Sequence, residues 1–257
     1  MTNSLQDLID ASIFISTEYQ ARLAELIGSA DYDVNFAEQS LTFKAADPVS
    51  FQPYLLGTES ENRGTWIWSW QQLGYFPNAV VSAALQARDA GERDSVLELS
   101  TDEIPLSEGL ARRLTLATKT VTGLYAHYPL PSWSVRAWSL IDSPELTLDV
   151  PTYKGVGRVI AKALQSEDIH DHPLAVNSYA RQRGFHTAWD TEATVVLTMT
   201  DGALRLWFDE GRISGIERAK PEVTAQELAQ LAAEAEQYRA ELSAERAEVE
   251  QAAAAEA

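Results

Sequence analysis

Residues 55–70 read LLGTESENRGTWIWSW, and the fold turns on how the last six are taken. Trp66, Trp68 and Trp70 stand two apart, so on a β-strand all three side chains leave one face. Each can bury about 150–250 Å², and three on one face amount to a small core. Thr65, Ile67 and Ser69 fall on the other face, the pattern of a half-buried antiparallel strand. Upstream, residues 51–58 read as its partner strand across the polar stretch 59–64, with Pro53 placing part of that strand at an edge.

Working outward, residues 32–36 and 41–45 alternate as Tyr32/Val34/Phe36 and Leu41/Phe43, with Glu38-Gln39 as a hairpin connection. Before them, Leu5, Leu8, Ile9, Ile13, Tyr19, Leu23, Leu26 and Ile27 recur at helical spacing, with Gly28 as the stop. After the tryptophans, Pro77 or Asn78 opens a second helix closed by Gly91, and a short strand is expected at 96–99. Leu106, Leu110, Leu114, Val121, Leu124 and Tyr128 predict one long third helix ended by Pro129 and Pro131, then a strand over 133–140. Residues 142–153 read as a boundary loop with a short strand at 146–150. Two helices follow, near 156–164 and from Pro173 to Gly184. Four strands come next, at 185–189, 194–200, 203–208 and 212–217, with Asp201-Gly202 as a two-residue hairpin turn. Helix, four strands, helix thus occurs twice, at 5–90 and 173–250, and suggests a structural pseudo-repeat. Thr224-Ala225-Gln226-Glu227 is a capping box for an Ala/Glu-rich helix, whose last residues, 251–257, are expected to be disordered.

Leu56, Gly57 and Thr58, followed by Thr65, Trp66, Ile67, Trp68 and Trp70, resemble a motif of an uncharacterised bacterial domain family most frequent in actinobacteria. That family usually continues Trp-Ala-Asn, where this chain has Gln71 and Gln72 after Trp70. Gly123-Leu124-Tyr125-Ala126-His127-Tyr128, leading to Trp133 and Trp138, is similar to the family's end. The resemblance covers residues 5–141 and, less clearly, 171–184. It implies a shared fold and carries no activity or catalytic residue with it.

Composition narrows the function. The 257 residues include no cysteine, which removes disulfides, thiolate zinc sites and cysteine nucleophiles. The formal net charge is −18, and residues 221–257, with nine Glu and two Arg, supply −7 of it. Such a field repels phosphate backbones and anionic lipid; it also serves plain solubility. No apolar run approaches a bilayer span, and MTNSLQDLID lacks the basic start of a secretory signal. A cytoplasmic protein that binds neither nucleic acid nor membrane is expected.

Four groups of residues could carry chemistry or binding. Trp66, Trp68, Trp70, Trp133 and Trp138 could line a concave sheet and stack a sugar ring or hold an apolar ligand, or simply pack the sheet against the helices. His170 and His172, within Glu167-Asp168-Ile169-His170-Asp171-His172, could ligate a metal with His127 or His186 as a third ligand; the plain alternative is a polar loop opening a helix. Leu228, Leu231, Tyr238 and Leu242 form a coiled-coil-like stripe broken by Glu245, suited to a partner helix or to the chain's own body. Tyr153-Lys154-Gly155-Val156-Gly157-Arg158 could place a small anion at a helix start, or be a flexible turn. No nucleophile motif of the hydrolase or lactamase kind is present.

The sequence therefore predicts an α+β protein: one or two curved antiparallel sheets packed by long amphipathic helices, with a C-terminal Ala/Glu-rich helix. The expected organisation is an α+β domain at 1–141, a second at 142–220 and an acidic helical tail at 221–257. The expected function is a non-enzymatic interaction or adaptor module with an unknown protein partner, monomeric or weakly dimeric and without a cofactor. Small-ligand binding in a Trp-lined pocket is the alternative, and a carboxylate- or metal-dependent enzyme a third reading.

Overall fold

A computed structural model describes residues 4–72, 75–132, 134–166 and 168–256. Among them are seven α-helices and eleven strands. In chain order these are α1 (Leu5–Ile27), β1 (Tyr32–Asn35), β2 (Ser40–Phe43), β3 (Val49–Ser60), β4 (Thr65–Trp68), α2 (Asn78–Asp94), α3 (Leu97–Ser100), β5 (Glu103–Pro105), α4 (Leu110–Thr122), β6 (Ala126–Ser132) and β7 (Val135–Asp142). There follow α5 (Tyr153–Ala163), α6 (His172–Arg183), β8 (His186–Thr191), β9 (Thr194–Met199), β10 (Gly202–Asp209), β11 (Arg212–Ala219) and α7 (Ala225–Glu256). The protein is α+β, with antiparallel sheets and a C-terminal helix.

The chain divides into two compact units. The first comprises Met1–Leu8, Tyr19–Thr147 and Leu242–Ala257; the second comprises Ile9–Glu18 and Leu148–Glu241. Helices α1 and α7 each contribute to both.

In the first unit, β1 to β5 follow one another as antiparallel neighbours, and β7 pairs with both β3 and β6. The twelve-residue β3 is shared: its start pairs with β2, and Gly57–Ser60 pairs with β4 on one edge and β7 on the other. A bulge between Leu55 and Gly57 adds local twist, and the sheet curls into a half-barrel. The start of α1 is fixed by a reciprocal capping box between Ser4 and Asp7. Leu23 and Ile27 of α1 share a core with Phe43, Phe51, Leu130 and Ile141.

In the second unit, β8 to β11 form a simple meander. A bulge at Trp207/Phe208 lets Phe208 face inward, where its ring meets Trp189. Both units thus contain four consecutive antiparallel strands, and they differ in that β3 also carries β7.

Several expectations need correction. The long helix expected over 106–128 stops at Thr122, because Gly123 adopts a left-handed conformation (φ 69°) and its N–H returns to Lys119 O. Residues 126–132 are instead a strand that, among the described residues, pairs with β7 alone, so Pro129 and Pro131 sit on an edge strand, where proline is tolerated. Residues 97–100 form a helical turn, not a strand. The strand expected at 146–150 is absent: a 3-10 turn, Pro144–Leu146, stands at its start. Trp70 lies beyond β4 in a 3-10 turn. The tail, expected to be disordered, continues as helix to Glu256, in keeping with the strong helix propensity of its alanines.

Candidate functional site

The tryptophans build a core. Trp66 and Trp68 on β4 are fully buried and Trp70 nearly so. The Trp66 and Trp68 rings meet edge to face at 5.3 Å, and Trp68 and Trp70 stack at 4.6 Å. Trp68 Nε1 donates to Glu98 O and Trp70 Nε1 to Asp102 Oδ1, which ties the loop before β5 to the stack. Gly57 explains the neighbouring Leu-Gly-Thr: a Cβ there would stand 2.5 Å from Ile67 O and 2.6 Å from Trp66 Cζ2. Only a residue without a side chain lets the Trp66 ring lie on β3. Trp133 lies outside the described residues.

Trp138 has different surroundings. Its register places it opposite Gly57, two residues from Arg136, which pairs with Glu59. Trp138 Nε1 donates to Glu59 Oε2 at 3.1 Å, and Arg136 approaches the same oxygen at 3.6 Å. Glu59, Glu61, Ser132, Ser134 and Arg136 line a shallow cleft of about 60 Å³. The other side of Trp138 meets the His127 imidazole, nearly parallel at 5.9 Å.

His127 leads to the most unusual group in the first unit. Its Nδ1 lies 2.8 Å from Lys119 Nζ, and Lys119 is fully buried on α4. The His127 backbone is held in both directions by the Gln20 side chain, at 2.9 and 3.2 Å. Burial, then the Arg112 charge, holds the Lys119 amine well below its usual value. Burial, Lys119 and Arg112 likewise push His127 well below the ordinary imidazole value. Two adjacent cations in a dry interior exclude each other. Burial and the neighbouring positive charges thus both disfavour the charged form of each group.

In the second unit the two histidines have separate tasks. Asp10 is buried, and its two carboxylate oxygens accept the backbone N–H groups of His170 and Asp171, each at 2.9 Å. The His170 side chain is exposed. His172 is buried and its Nδ1 accepts the Ile213 N–H at 3.2 Å, so that nitrogen is committed to the β11 backbone. Among the described residues, no group of three or more His, Cys, Asp or Glu is placed to hold a metal ion; Glu167 lies outside them. The segment from Tyr153 is the first turn of α5, capped by the Thr152 hydroxyl.

The C-terminal stripe faces its own chain. Leu228 and Leu242 are buried, and Leu231 and Tyr238 are half-buried. In the second unit, the Arg181 guanidinium lies 4.1 Å from the Tyr238 ring. In the first, Leu242 packs over Gly123 and its carbonyl accepts Gln86 Nε2 at 3.0 Å. One turn on, buried Arg246 donates to Thr122 O, the frayed carbonyl end of α4, and lies over Tyr54.

Trp207 is the exposed one among the described tryptophans. It projects from the outer face of β10 and is 42% exposed, beside Gly215 of β11. Arg205 lies 5.7 Å from its ring and pairs with Asp190 at 3.6 Å. Neither Trp207 as a surface group nor the Lys119–His127 pair was singled out by sequence reasoning. A faint signal existed for Lys119: Ala111, Thr115 and Lys119 recur every four residues, which sets the lysine on the buried face of α4.

The chain belongs to a family of unknown function (DUF6882), whose model matches residues 6–144. No curated protein and no solved structure matches it.

Proposed function

We propose that the protein is a non-enzymatic interaction module and that the outer face of the second sheet, centred on Trp207, is its contact surface. The exposure of Trp207 carries this reading, since a partner that covers the ring would remove its remaining apolar surface from water. Tryptophan is enriched among residues that dominate binding energy. Gly215 leaves the flank of the ring open, and the Arg205–Asp190 pair supplies a polar rim. A cytoplasmic setting and a protein partner, rather than nucleic acid or lipid, agree with the net charge of −18. Among the described residues no helix is long and apolar enough to cross a membrane.

The test is capture of proteins by the tagged full-length chain and by Trp207→Ala. Partners retained by the parent and lost from the variant support the reading; an unchanged set overturns it. One observation favours small-ligand binding as a second reading: Trp138 orients Glu59 at the edge of the 60 Å³ cleft. Titration of small amines and amino acids, followed by tryptophan fluorescence, decides that case.

A further inference from the structure

Resting on the small-ligand reading above, we infer that the cleft between the end of β3 and the β6–β7 hairpin binds a small primary amine in its ammonium form. Glu59 is fixed before any ligand arrives. Its Oε2 accepts Trp138 Nε1 at 3.1 Å and is approached by Arg136 at 3.6 Å, while Oε1 has no hydrogen-bond partner among the described residues. The Glu59 side chain is only 25% exposed, so its remaining acceptor is partly desolvated and held in place by the indole. Glu61, exposed in the turn after β3, brings a second carboxylate to the same cleft.

The chemistry of the lining selects the ligand. Glu59, Glu61 and Arg136 sum to one negative charge, which a monocation neutralises and an anion doubles. The Arg136–Glu59 contact is long and Arg136 is half-exposed, so the ion pair is weak and leaves the carboxylate available. An ammonium group carries three N–H donors and no acceptor. Glu59 Oε1, a Glu61 oxygen and the Ser134 hydroxyl supply three acceptors around the cleft. Its volume of about 60 Å³ equals about two waters, which is room for an aminomethyl group. Exposed Pro131 and Val135 supply apolar surface for the stem of the amine.

The test titrates butylammonium into the full-length protein at fixed ionic strength, followed by calorimetry and by the Trp138 indole N–H resonance, assigned with Trp138→Phe. Tetramethylammonium (the same charge without an N–H donor), butanoate and butanol are the comparators. Butylammonium is expected to shift the Trp138 resonance saturably and to bind about tenfold or more tighter than tetramethylammonium. Glu59→Gln and Glu61→Gln are each expected to weaken it by about tenfold. Glu61→Gln alters only an exposed turn residue, so the question stays decidable if Glu59→Gln fails to fold. Equal binding of the two cations, which would reflect only the net charge of −18, overturns the inference, as does unchanged affinity in the variants. Saturable binding of butanoate or butanol in place of butylammonium overturns it while keeping the cleft as a ligand site. No saturable binding by any of the four overturns both.

Discussion

Replacing Lys119 by methionine tests the buried pair directly. Methionine is close in length and volume, so the packing change is small, and the loss includes the contact to His127 Nδ1, worth about 1 kcal/mol. The larger effect depends on pH. Lys119 holds its proton less tightly folded than unfolded, since burial lowers its value well below 10.5. Between those two values the unfolded chain binds one more proton than the folded one. Stability then rises with pH, by about 1.4 kcal/mol per unit for one group. Above the unfolded value the cost vanishes. As pH rises toward the unfolded value the parent is therefore expected to gain stability relative to Lys119→Met, whose own curve lacks this contribution. Taking the difference between the two proteins cancels the repulsion among surface carboxylates. The assay is urea unfolding followed by tryptophan fluorescence, at half-unit steps of pH. Parallel curves, with a constant difference between parent and variant, refute the reasoning.

Two further substitutions probe the two units separately. Gly57→Ala forces a Cβ against Ile67 O and the Trp66 ring; a loss of about 3 kcal/mol or more is expected in the same urea assay, and a loss below about 1 kcal/mol would show that β3 and β4 can separate cheaply. In the second unit, Glu18 accepts from Tyr179 Oη and from Arg183 Nε, both at 2.8 Å, and the Arg183 side chain is almost fully buried. Glu18→Ala strands that guanidinium and is expected to cost about 3–5 kcal/mol in thermal unfolding, whereas a near-neutral outcome would mean that water replaces the carboxylate.

Much of the fold is legible in the residues themselves. Period-two alternation and the turns between found β1 to β4 and β8 to β11. The failures share a cause. Leu124 and Tyr128 continue the spacing of α4 by coincidence, and only the left-handed Gly123 ends the helix. The strand after it exists because β7 is there to pair with. The tryptophan cluster could be seen in advance, since spacing alone brings Trp66 and Trp68 together, whereas the stacking of Trp70 depends on the turn after β4. The Lys119–His127 contact could not be seen. Eight residues separate them, across a helix end and a strand start, and their meeting depends on how α4 lies on the sheet. Trp207 reads as a core residue until the bulge beside it and Gly215 opposite it fix which face it takes.

Site-specific photocross-linking tests the interaction reading most directly. A benzophenone side chain would be placed at Glu217, the exposed cross-strand neighbour of Arg205 next to Trp207, and in a separate protein at Ala244, on the exposed face of α7. Both proteins would be irradiated in cell extract and their adducts identified by mass. The account predicts a defined protein adduct from position 217 that is lost when Trp207→Ala is added, and none of that mass from position 244. No adduct at 217, or the same adducts from both positions, would contradict it.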